Sequence, residues 1–121
     1  MNDQVLLNYL RGLADTLPGT DAVSDLTIDS LEEIQANVAA IYADYEDNPA
    51  PAGAETLREL MLEALHLIHQ GVEEYLLFSE DLQEERLPNG LVMVEEGHDI
   101  MESIRYAIGQ DQSWTSSAAV H

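Results

Sequence analysis

Glu55-Thr56-Leu57-Arg58-Glu59-Leu60-Met61-Leu62-Glu63-Ala64-Leu65-His66-Leu67-Ile68-His69-Gln70-Gly71-Val72-Glu73-Glu74-Tyr75-Leu76-Leu77-Phe78 is the longest uninterrupted helical pattern in the chain. Set Leu57 at zero on a wheel of about 100° per residue. Leu60, Met61, Ala64, Leu65, Ile68, Gly71, Val72 and Tyr75 then lie within about 100° of it on either side. An apolar arc this wide predicts a central helix, from about Ala54 to Asp81, that touches at least two neighbours. Gly71 lies inside the arc. A mid-helix glycine costs about 1 kcal/mol against alanine, so close approach of another helix is its expected reason.

Helical patterns flank this one on both sides. Val5, Leu6, Tyr9, Leu10, Leu13 and Leu17 recur at helical spacing, and Pro18-Gly19 ends that helix. Thr20–Asp29 reads as a polar loop. Ser30-Leu31-Glu32-Glu33 has the form of a capping box, which predicts a second helix from Leu31. Its apolar face carries Ile34, Val38, Ile41, Tyr42 and Tyr45. Asn48-Pro49-Ala50-Pro51-Ala52-Gly53 closes it with two prolines and a glycine. A last helix is expected from near Glu84–Leu87, with Leu87, Leu91, Val94, Met101, Ile104 and Ile108 as its stripe and Gly109 as its stop. The expected fold is all-α: a single-domain antiparallel helical bundle, one short N-terminal helix plus three longer ones, spanning 1–109. Residues 110–121 read as a flexible C-terminal tail, with Trp114 its one large apolar residue.

Twenty-four acidic residues face four arginines, so the net charge is −20. The excess is spread over every segment. Such a surface repels nucleic acid and anionic lipid and favours basic partners or cations. A salt-adapted host would produce the same bias. The chain has no cysteine, hence no disulfide and no thiolate metal site. No basic leader and no long apolar run is present, so a cytoplasmic protein off the membrane is the expectation.

Glu63-Ala64-Leu65-His66 and Glu95-Glu96-Gly97-His98 are both Glu-x-x-His. The pair resembles the ligand motifs of ferritin-like di-iron bundles, in which two such motifs join a lone glutamate from each of two other helices. The resemblance covers these two tetrapeptides and implies Glu63, His66, Glu95 and His98 as metal candidates. His66 and His69, three apart, form a second candidate pair for zinc or nickel. The wheel sets His66 opposite the apolar arc and Glu63 on the polar side, whereas His98 falls at the core edge, with Glu102 one turn on. Arg105 also falls at the core edge, where an ion pair with Glu102 or with a carboxylate across the interface is expected.

No nucleophile elbow and no phosphate loop is present. The expectation is therefore a non-enzymatic protein–protein interaction module without a cofactor: an adaptor, small chaperone or regulatory subunit. Its expected packing or partner surface is Leu57, Leu60, Met61, Ala64, Leu65, Ile68, Gly71, Val72 and Tyr75, with Trp114. A protein partner or a homodimer would use it, and nucleic acid would not bind directly. The alternatives are the metal-binding bundle and an acidic mimic of nucleic acid.

Overall fold

Four helices form: α1 (Asp3–Thr16), α2 (Asp25–Asp47), α3 (Glu55–Asp81) and α4 (Arg86–Val120). The computed structural model describes the backbone of residues 2–120 and the side chains of residues 2–109, and contains no strand among them. The all-α antiparallel bundle anticipated from the periodicities is the fold observed.

The helix ends have local causes. Asn2 caps α1, its side-chain oxygen accepting from the backbone N–H of Gln4 and Val5, each at 3.1 Å. Leu17 and the left-handed Gly19 close it. Arg58, in the first turns of α3, reaches back and donates to the carbonyls of Tyr45, Glu46 and Asn48. One side chain thereby satisfies three carbonyls at the end of α2. Pro88 falls in the first turn of α4, where its missing N–H costs nothing.

Two boundaries depart from expectation. α2 starts at Asp25, not at Leu31, because Ser24 is the cap: its hydroxyl accepts from Thr27 N–H at 3.2 Å. Val23 and Ile28 occupy the staple positions around that cap and both join the core. Ser30 is consequently interior to the helix, and much of the expected loop is its first turns. At the other end, helical backbone continues through Gly109 to Val120. Gly109 does not adopt the left-handed conformation that ends a helix. The Trp114 side chain lies outside the described residues.

α3 is the centre, packed between α2 and α4, while α1 lies against α4. Most of the broad arc of α3 is spent within the chain: Ala64, Leu65, Ile68, Gly71, Val72 and Tyr75 are buried, while Leu57, Leu60 and Met61 at its start are half-buried. The arc thus packs against two neighbours, α2 and α4, as its width predicts. The close approach anticipated at Gly71 is present, and α4 answers it with two glycines of its own. A methyl at Gly71 would stand 2.6 Å from Gly90 O and 2.5 Å from Val94 Cγ2. One at Gly90 would stand 2.6 Å from Gly71 O, and one at Gly97 would stand 2.8 Å from Ala64 O. Small residues on both faces let the two backbones nearly touch.

α1 and α2 are not backbone neighbours. With 14 residues α1 is about 21 Å long, the shortest of the four. Its N-terminus meets α4 at His98–Arg105, so the lower ends of α2 and α4 extend past it. Ile104 and Ile108 of α4, with Tyr45, Leu57 and Met61, line a hollow of about 520 Å³ there.

Candidate functional site

Two features stand out once the helices are in place: a polar junction that fastens α1 to α4, and an apolar trough that α1 leaves open against α2.

The junction is built on Asp3. Its side chain is 2% exposed, although it sits in the first turn of a surface helix. His98 Nδ1 lies 2.5 Å from Asp3 Oδ2. Arg105 donates to both carboxylate oxygens of Asp3, through Nη1 at 3.3 Å and through Nη2, and Nη1 also reaches Glu102 Oε1 at 2.5 Å. Burial alone would raise the Asp3 pKa. The hydrogen bonds from Arg105 and His98 outweigh it and hold the carboxyl below its ordinary value. Arg105 is correspondingly raised, first by its bond to Asp3. The ion pair expected for Arg105, with Glu102 or with a carboxylate across the interface, is present in both forms. Glu102, one turn on from His98, is taken by Arg105, and the partner of His98 is Asp3.

At the far end of α1, Tyr75 Oη donates to Leu10 O at 2.9 Å, fully buried. Burial, with the charges of Glu95 and Asp15, raises the Tyr75 pKa well above that of a free phenol. These two anchors set the position of α1.

The trough lies along the opposite flank of α1. Val5, Leu6 and Tyr9 of α1 and Ser30, Glu33, Ile34, Asn37, Ala40 and Ile41 of α2 line a space of about 730 Å³. Val5 is 62% exposed on its rim. Leu26, 79% exposed, continues the α2 stripe one turn above Ser30. None of these residues was singled out as a site in the sequence, because each belongs to an ordinary amphipathic stripe. What exposes them is the distance between α1 and α2.

The metal candidates are scattered. Glu63 and His66 are exposed on the outer side of α3, as the wheel requires, and His69 is half-buried. His66 and His69 flank a shallow cleft of about 300 Å³ with Tyr42 and Gln70. Glu95 and His98 are half-buried on α4. The two Glu-x-x-His motifs do not meet. Among the described residues, the group whose ligand atoms lie within 4.8 Å of one another is Asp3, His98 and Glu102. That set could hold a divalent cation, but Arg105 is already ion-paired with two of its three members.

Among the described residues no helix is long and apolar enough to cross a membrane. Comparison of the chain with models of protein families, with curated proteins and with solved structures finds no match.

Proposed function

We propose that this chain is a protein–protein interaction module: an adaptor, small chaperone or regulatory subunit that works by docking and not by catalysis. The observation that carries this reading is the trough between α1 and α2. Apolar side chains from two helices face a space that no other described part of the chain fills. Further apolar residues stand exposed on α4, at Val92, Tyr106 and Ile108. Exposed apolar surface of this kind, rimmed by polar groups, marks interaction sites.

The test is photo-crosslinking in the living host, with a photoreactive residue placed in turn at Val5, Val92 and Tyr106. Discrete crosslinked partners from at least one position support the reading. A protein that stays monomeric by light scattering and yields no crosslinked partner from any position sinks it.

A second reading, divalent-cation binding, draws on the convergence of Asp3, His98 and Glu102. A cation would have to displace Arg105 from its two carboxylates, and that competition makes the site measurable by substitution at Arg105.

A further inference from the structure

We propose that the trough between α1 and α2 takes one amphipathic helix with a basic outer face, supplied by another protein. The inference rests on the interaction-module reading and names the chemistry of its partner.

Shape argues for a helix. The trough runs along the helix axes, from Ser30 to Ile41 on α2, roughly 17 Å at the rise of an α-helix. That is about three turns, the length over which side chains at i, i+3/i+4 and i+7 anchor a helix in a groove. The floor is aliphatic and aromatic (Leu6, Tyr9, Ile34, Ile41), with Val5 on the rim, and suits such anchors. No strand edge is available among the described residues to pair with an extended segment.

Charge decides the outer face. α2 carries seven acids (Asp25, Asp29, Glu32, Glu33, Asp44, Glu46, Asp47) and no lysine, arginine or histidine. Glu33 lines the trough. Asp44 lies on the same stripe, one turn beyond Ala40. The one base of α1, Arg11, lies on the opposite side of that helix from Val5 and Tyr9. A basic helix therefore meets a wall that carries Glu33 and, at its end, Asp44, with no base of α1 or α2 facing it. A second copy of this chain would bring another −20 against −20, and anionic lipid is repelled in the same way.

The probe is a fluorescein-labelled peptide of about 14 leucine and lysine residues, patterned so that the leucines form one helical face. Its binding to the full chain is read by fluorescence anisotropy. Controls are a scramble of the same composition and a leucine–glutamate peptide of the same pattern. The variants are Val5→Glu and Ala40→Glu in the trough and Val92→Glu away from it; all three positions are exposed, and circular dichroism checks that each variant folds. The patterned basic peptide is expected to bind, and to bind more weakly as salt rises from roughly 50 to 500 mM. V5E and A40E each weaken it about tenfold or more, while V92E leaves it within about twofold. The scramble and the glutamate peptide bind at least about tenfold more weakly.

Equal binding of patterned and scrambled peptides, indifference to V5E and A40E, or no binding at all overturns the proposal. A dimer in sedimentation that V5E dissociates assigns the trough to a second copy instead. Crosslinks at Val92 or Tyr106 with none at Val5 leave the interaction-module reading standing and remove this one.

Discussion

Asp3 and Arg105 are 102 residues apart and form the ion pair that ties the start of α1 to α4. The pair is asymmetric: the carboxylate is 2% exposed and the guanidinium 51%. Its worth comes from the buried member. Asp3 cannot be rehydrated in place, so loss of its partners leaves a charge stranded in the core edge.

Asp3→Asn keeps the shape and removes the charge. It is expected to destabilise the fold by about 1–3 kcal/mol at neutral pH, less than a fully buried pair because Arg105 is half in water. The sign with pH follows from the lowered pKa. The stabilisation from Asp3 is complete above its ordinary value near 3.8 and is lost as pH falls through the lower folded value. The gap between wild type and D3N in urea denaturation therefore holds from pH 7 to 5 and narrows as the pH falls below the ordinary value near 3.8. A gap that is constant down to pH 2 would refute this account.

The glycines of the α3–α4 seam and the glycine of α1 are expected to respond with opposite signs. Gly71→Ala and Gly97→Ala gain about 1 kcal/mol of helix propensity but press a methyl onto facing backbone oxygens at 2.6 and 2.8 Å. Backbone cannot step aside as a side chain can, so a net loss of about 1–3 kcal/mol is expected. Gly12→Ala has nothing within 4 Å of the added methyl and is expected to gain up to about 1 kcal/mol. Thermal melts of the three variants check the signs.

Tyr75→Phe removes the hydroxyl bonded to Leu10 O and nothing else, at an expected cost of about 0.5–1.5 kcal/mol. In wild type, Tyr75 is expected to stay un-ionised at alkaline pH for as long as the chain is folded. Its ultraviolet signal appears only when the chain unfolds, and Y75F lacks that late component.

On the divalent-cation reading, zinc would have to compete with Arg105 for Asp3 and Glu102. Isothermal titration with zinc is expected to show tighter binding to Arg105→Gln than to wild type, and loss of that gain when His98→Ala is added. Equal affinity in wild type and R105Q would place any bound zinc elsewhere, the His66–His69 pair being the first place to look.

The bundle was legible because its signal is local. Helical spacing, Pro18-Gly19 and the Asn48–Gly53 segment are read within a few residues of where they act. Gly71 announced a close neighbour, but nothing nearby identifies Gly90 and Gly97 as the surface it meets. The start of α2 was misplaced because Ser24 and Ser30 both offer a capping hydroxyl, and burial of Val23 favours the earlier one. Asp3 gave no sign of its role: an aspartate after Asn2 looks like an ordinary first-turn acid, and its partners lie 95 and 102 residues away. The trough was hidden for a related reason, since it depends on the spacing between two helices and not on the pattern of either.

That long reach also orders assembly in time. α3 and α4 are joined by only a few residues and meet along a seam of near neighbours, so they can zip together as a hairpin with little loop entropy to overcome. α1 leaves the ribosome well before them, with Leu6, Leu7 and Leu10 on its surface and no site to receive them until α4 has emerged. The helix made earliest is the one expected to dock last and to detach first, as its own cooperative unit. Amide exchange in α1 should accordingly outpace that of the α3–α4 hairpin.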